Sequence, residues 1–210
     1  MLNRFKSLLT AKSPLAALYS SSVTGYLARS GWRRSFLSKR AVDQDGRSLP
    51  WFTYPSIAFL QPRISPEMTV FEFGSGSSTL WWASRVKRVV AVEHDPLWLA
   101  QVRDKAPPNV ELIHRPLDTY ADSIRAYEGV FDIVVIDGRD RNRCAENAPP
   151  ALNAQGVVIW DNSERPEYGP GFECLTSRHF RRLDFVGMGP IAPFAWTTSV
   201  FYRSENCLSI

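Results

Sequence analysis

Val70-Phe-Glu-Phe-Gly-Ser-Gly-Ser-Ser78 is an apolar run that carries one acid, Glu72, and then breaks into a Gly/Ser loop. Nineteen residues beyond Gly74 a second apolar run, Val89-Val-Ala-Val92, ends on another acid, Glu93. A glycine-rich turn after a first strand, with an acid about 20 residues on, holds a nucleoside at the edge of a parallel sheet. A dinucleotide site would continue as GxGxxG with its pyrophosphate at the helix N-terminus. Here the third glycine position is Thr79, and the Glu72 carboxylate would repel a pyrophosphate. An oxidoreductase that uses NAD is disfavoured on both counts. A cationic nucleoside without phosphate suits the same residues, with Gly74 and Gly76 letting the backbone approach and Glu93 taking two ribose hydroxyls.

The pattern outward from this stretch is regular. Pro55 starts a helix through Ile57, Phe59 and Leu60 to about Ile64. Strands are expected at Thr69–Phe73, Arg88–Val92, Val110–His114, Phe131–Asp137 and Gly156–Trp160, with helices between them. Those helices fall at about Ser78–Arg85, from Asp95-Pro96 through Val102, at Thr119–Tyr127 and at Ala145–Leu152, the last broken near Pro149-Pro150. A helix at Phe172–Phe180 precedes a closing strand pair, Arg182–Val186 and Thr197–Arg203. Five alternations imply a doubly wound, mostly parallel seven-stranded sheet with helices on both faces and an antiparallel last strand. Ligands of such sheets sit beyond the carboxyl ends of the strands. Gly74–Ser78, Glu93, the residues after His114, Asp137 and Asp161-Asn162 therefore share one crevice.

The net charge of +4 is an average over two unlike parts. Residues 1–42 contain eight Lys/Arg and no acid, whereas the remaining residues carry 17 basic and 21 acidic side chains. A mildly acidic body without a basic groove argues against nucleic acid as partner. Residues 1–46 read as a basic N-terminal helical extension and 47–210 as the catalytic domain. Three readings of the extension stay open: a lid on the domain, a peripheral membrane contact through residues 1–42, or a targeting segment. No window reaches the ~18–20 apolar residues that span a bilayer. Three irregularly spaced cysteines, Cys144, Cys174 and Cys207, fit reduced thiols in a cytoplasmic protein, with membrane-peripheral placement as the variant.

With Glu72-Phe-Gly74-Ser-Gly76-Ser-Ser78 as first motif and Val92-Glu93 as second, the chain resembles the class I S-adenosylmethionine-dependent methyltransferases over about Trp51 to Arg203. The resemblance implies S-adenosyl-L-methionine as cofactor, with Glu72 facing its ammonium directly or through water. It implies Gly74, Gly76 and Ser78 as cofactor-binding residues, Glu93 on the ribose and Asp137 near the methyl group. Asp118 is the nearest acid to the expected adenine contact, and also reads as a helix N-cap.

Methyl transfer needs an aligned nucleophile and a proton acceptor. Asp137, Asp161 and Asn162 are similar to the trio that holds magnesium in the catechol and caffeoyl-CoA O-methyltransferases, so that resemblance implies Mg2+. The lysine which those enzymes carry three residues after the first Asp is Asp140 here. Without metal, Asp137 or Asp161 is the candidate general base. Arg139, Arg141 and Arg143 either hold an anionic acceptor or form internal ion pairs. The loop Gly187–Trp196, with Phe194 and Trp196, is a candidate acceptor wall, and Trp51, Phe52 and Tyr54 face it. The expected reaction is O-methylation of a small molecule or sugar-type acceptor. Aminopropyl transfer and a non-catalytic nucleoside-binding or membrane-surface adapter are the alternatives.

Overall fold

The computed structural model describes residues 14–20 and 25–210. Among them seven strands form one sheet: β1 Thr69–Phe73, β2 Arg88–Glu93, β3 Val110–His114, β4 Phe131–Ile136, β5 Leu152–Asp161, β6 Arg181–Gly187 and β7 Trp196–Tyr202. Their order is β3-β2-β1-β4-β5-β7-β6. Strands β1 to β5 pair in parallel, and β7 runs antiparallel to both β5 and β6. The order reverses between β1 and β4, which opens a crevice beyond their carboxyl ends.

The continuous apolar runs of β1, β2 and β4 and the second half of β5 are buried on both faces, whereas β3, at the edge of the sheet, is half-exposed. Val70, Val89, Ala91, Ile133, Val135, Val157, Ile159 and Val200 pack one way, with α4 (Tyr54–Leu60) and with Trp81 and Trp82 of α5 (Ser77–Ala83). Phe71, Phe73, Val90, Val92, Val134, Ile136 and Trp160 pack the other way, with Cys144, Ala145 and Ala148 of α8 (Arg141–Ala151) and Leu175 of α9 (Gly169–Ser177). Trp82 has no exposed surface. Truncating it to Ala removes a filled volume that the neighbouring strands cannot close, at about 3–5 kcal/mol.

This two-residue period places the polar ends as well. Stepping by twos from Val70, Ala91, Val135 and Ile159 reaches Glu72, Glu93, Asp137 and Asp161. All four acids thus end their strands on the α5 side of the sheet.

Between the strands lie α6 (Pro96–Arg103) and α7 (Leu117–Tyr120). Asp95 caps α6, accepting from the Leu97 and Trp98 N–H groups at 2.8 and 3.2 Å. Asp118 does not cap: Pro116 holds the N-cap position, and Asp118 is exposed within the first turn of α7. The expected helix Thr119–Tyr127 is instead α7 followed by a 3-10 turn over Ala121–Ala126. Helix α8 starts at Arg141, four residues before its expected start, and runs through Pro149-Pro150 unbroken. The prolines fall in its final turn. The carbonyls of Pro150 and Ala151 accept from Gly129 and Val130 N–H, at 3.0 and 2.9 Å, so the chain entering β4 satisfies the helix end.

Near the N-terminus lie α1 (Pro14–Tyr19), α2 (Tyr26–Arg29) and α3 (Trp32–Ser38). The Trp32 indole donates to the Ala192 carbonyl at 2.9 Å, and Ala41 and Leu49 join the core with Phe52 and Ile57. The basic segment next to the body is therefore packed against it. Residues 1–13 and 21–24, on which much of the membrane-contact and targeting readings falls, lie outside the described residues. No helix among the described residues is long and apolar enough to cross a membrane.

Candidate functional site

The loop after β1 is built in two layers. Gly74 has φ +111°, a left-handed conformation in which any side chain is strained, and its backbone lies against that of Gly138. Beneath it Glu72 is fully buried. The Thr79 hydroxyl donates to Glu72 Oε2 at 2.5 Å and accepts the Gly76 N–H at 2.9 Å. Thr79, which breaks the dinucleotide pattern, is thus the link through which Glu72 fixes the glycine loop. Burial pushes the Glu72 carboxyl up to about 8, against the Ser78 and Thr79 hydroxyls that favour its ionised form. Its Oε1 has no hydrogen-bond partner in the fold.

Glu93 is nearly as enclosed, with 5% exposure. Its Oε1 accepts from the backbone N–H groups of His94 and Asp95 at 2.8 and 3.0 Å. Its Oε2 accepts from the Ser75 hydroxyl at 3.0 Å. The Trp98 indole donates to the Ser75 carbonyl at 2.8 Å and covers Gly76. Neither Ser75 nor Trp98 stands out in the sequence, because serine in a glycine loop and tryptophan on an amphipathic helix are ordinary.

Above this layer lies a cavity of about 390 Å³, lined by Ser75–Ser78, Trp98, Asp137, Ile191, Trp51 and residues of the N-terminal segment. It brings the glycine loop and the end of β4 together, as expected. A larger depression of about 580 Å³ is lined by Arg125, Tyr127, Glu146, Arg178 and neighbours, none of them at a strand's carboxyl end. The smaller one is therefore the candidate site. Of the expected aromatic walls, Trp51 and the Gly187–Trp196 loop, through Ile191, reach it, whereas Phe52 and Tyr54 are core residues. Trp196 is buried, and Phe194 is exposed elsewhere.

Asp137 and Asp161 part company here. Asp161 Oδ1 accepts from Trp196 Nε1 at 2.9 Å and Thr198 Oγ1 at 2.6 Å, so its carboxylate is turned into the β5–β7 seam. Burial and the nearby Asp137 carboxylate push it well above the usual carboxylate range. Asp137 stays at the cavity, its side chain 23% exposed. Burial raises it to about 6, against the opposing pull of the Arg141 and Arg165 guanidinium groups.

Arg141 occupies the centre of the expected metal trio. It is 8% exposed. Its Nε donates to the Gly138 carbonyl at 3.0 Å, and its Nη2 to the Asp137 carbonyl at 2.8 Å and to Asp137 Oδ1 at 3.3 Å. Its Nη1 donates to the Asp161 carbonyl and lies 3.4 Å from Asn162 Oδ1. Asn162 reaches that point because its φ of +52° turns the chain after β5. A divalent cation would need these same oxygens together with the Asp161 carboxylate. Among the described residues no cluster of three or more His, Cys, Asp or Glu could hold a metal. The residues present do not fit Mg2+, and the metal expectation for Asp137, Asp161 and Asn162 is corrected accordingly: an internal guanidinium stands in that place. Asp161, facing away from the cavity, is also corrected as a general base.

Of the three arginines read either as holders of an anionic acceptor or as internal ion pairs, two are paired within the fold. Arg143 pairs with Asp122 and Asp140, both at 3.0 Å. Arg141 is consumed as described, and Arg139 lines a separate depression with Arg165 and Tyr168.

Residues 71–163 match the family model described as a methyltransferase domain. No curated protein matches the chain. Among solved structures, the precorrin-6y C5,15-methyltransferase of Geobacter metallireducens superposes with a TM-score of 0.59 at 15% identity, over 80% of this chain and 95% of that one. A methyltransferase from Geobacter sulfurreducens gives 0.55 at 15% identity, over 96% and 94%. A spermidine synthase in complex with the transition-state analogue AdoDATO gives 0.52 at 17% identity, over 70% and 58%. At these identities the likeness is one of fold. Residues 71–163 thus match a methyltransferase domain, and the sheet around them has the fold of the class I S-adenosylmethionine-dependent methyltransferases.

Proposed function

We propose that this protein is a methyltransferase that moves the methyl group of S-adenosylmethionine to an oxygen of a small-molecule or sugar-type acceptor, with Asp137 as general base. The observation that carries the reading is Asp137 itself: a carboxylate raised to about 6, lining the same cavity as the glycine loop. A base in that range stays ionised at neutral pH and takes a hydroxyl proton more readily than an ordinary carboxylate.

The glycine loop receives the nucleoside, and Glu93 binds the ribose once a ribose hydroxyl replaces the Ser75 hydroxyl on Oε2. Glu72 acts from below, by holding the loop through Thr79 and by offering its unpartnered Oε1 toward the cofactor's ammonium, directly or through water. The acceptor hydroxyl gives its proton to Asp137 while its oxygen attacks the methyl carbon. The carbon–sulfur bond breaks, sulfur keeps the electron pair, and the neutral thioether S-adenosylhomocysteine leaves. Arg141 holds the Asp137 backbone and carboxylate in place, and no step passes through a metal.

Transfer of an aminopropyl group from a related nucleoside is the second reading, favoured by the spermidine synthase likeness. The products separate the two. S-adenosylmethionine carrying an isotopic methyl is incubated with the protein and a fractionated small-molecule extract. Methyl transfer delivers the isotope to an acceptor and yields S-adenosylhomocysteine. Failure to transfer it to any acceptor, or transfer that survives in Asp137→Asn undiminished, rejects the reading.

A further inference from the structure

We propose that the acceptor carries an anionic group, carboxylate or phosphate, recognised by Lys39, Arg40 and Lys105 at the cavity rim. This deepens the methyl-transfer reading and rests on it.

The three cations come from two distant parts of the chain. Lys39 and Arg40 follow α3 in the basic N-terminal segment, and Lys105 follows α6. The fold brings all three to the lining of the 390 Å³ cavity above the glycine loop. Among the described residues none of them makes an ion pair; Lys39 rests its ammonium 4.2 Å from the Phe36 ring centre. Residues 1–42 contain no acid, and the nearest acids along the chain, Asp43 and Asp104, form no ion pair with the three cations among the described residues. The one carboxylate lining the cavity is Asp137, and Arg141 already lies beside it. Three positive groups around one concavity repel each other and focus a positive potential into it, which draws an anion.

The rest of the lining says what the anion is attached to. Trp51 and Trp98 are 50% and 45% exposed and line the same cavity. Half-exposed indoles in a concave site offer flat apolar surface to a ligand. The charge is not supplied by the arginines after β4, because Arg141 and Arg143 are engaged within the fold and Arg139 lines a separate depression. The acceptor class is therefore a hydroxylated compound with a flat apolar body and an anionic end, and the basic N-terminal segment is part of its binding wall.

The test uses the full chain and a matched pair of probes, 4-hydroxybenzoate and its neutral amide, titrated calorimetrically with S-adenosylhomocysteine present. We expect the anion to bind at least about tenfold tighter than the amide, with the margin shrinking as salt is added. In the double variant Lys39→Gln/Arg40→Gln the margin falls to about twofold or less, and Lys105→Gln narrows it as well. Arg178→Gln, a cation outside this cavity, leaves it unchanged. Equal affinity for both probes in the wild type, absence of binding by either, or a margin that persists in the double variant overturns the proposal. So does a double variant that weakens S-adenosylhomocysteine but not 5′-methylthioadenosine while the margin stays, since the cations then serve the cofactor's own carboxylate. If neither adenosyl compound binds, the methyl-transfer reading fails, and the anion margin measured without cofactor still decides the role of the cations.

Discussion

Replacing Arg141 with methionine keeps an unbranched apolar stem as far as the Nε position and removes the guanidinium with its charge and all its donors. In the folded protein the guanidinium serves the carbonyls of Asp137, Gly138 and Asp161 and one oxygen of the Asp137 carboxylate. Removing one partner of a buried charge pair costs about 3–5 kcal/mol, because the other partner is left without compensation. The Asp137 side chain is 23% exposed at the cavity. Water entering there solvates the freed carboxylate, so the lower end, about 3 kcal/mol, is expected. For a chain of this length that corresponds to a fall in melting temperature of roughly 10 °C. The assay is urea unfolding of the wild type, Arg141→Met, Asp137→Asn and the double variant. The coupling between the two sites should be about 1–2 kcal/mol, smaller than the whole loss, because three of the four acceptors are backbone carbonyls that Asp137→Asn leaves in place. Arg141→Lys should recover less than half, since one ammonium cannot span two strand ends as a planar fork does. A loss below about 1 kcal/mol for Arg141→Met, the size expected of an exposed pair, would refute the reasoning. Full recovery by lysine would refute it equally.

Glu93→Ala should weaken S-adenosylhomocysteine and 5′-methylthioadenosine alike by tenfold or more, about 1.4 kcal/mol, in calorimetry; equal affinity in the variant removes Glu93 from the ribose site. Asp137→Asn should lower methyl transfer by about 10²–10⁴-fold, and the wild-type rate should fall on acidification through pH 6, where Asp137 takes up its proton. Excess chelator should leave transfer intact, and magnesium should give no binding heat, whereas loss of activity on chelation would restore the metal. For Glu72 the folded carboxyl lies near 8, above its ordinary value of 4.5, so the fold favours the protonated form. That contribution to stability is fully present below pH 4.5 and is lost as pH rises toward 8. Glu72→Gln, which mimics the protonated acid, should flatten the decline in melting temperature over that window; an unchanged slope counts against a buried, proton-holding Glu72.

The sequence by itself determined the strand positions, the glycine loop and the acids that end the strands. Those features are local: a buried parallel strand must be a continuous apolar run, and a tight turn at φ +111° excludes a side chain. It also put Asp137 just past the end of β4, where it lines the cavity with the glycine loop. Only the tertiary structure decided what each acid does there. Glu72 and Asp161 look alike in sequence, yet one is drawn under the loop by Thr79 and the other into the β7 seam by Trp196 and Thr198. Arg141 gave no local sign of filling a cation's place, because the oxygens it gathers come from two strands that meet only in the folded sheet. Lys39, Arg40 and Lys105 likewise read as scattered surface charge until folding sets them around one cavity. A side chain's partner is set by distance in space, and for these residues that distance is not written in their spacing along the chain.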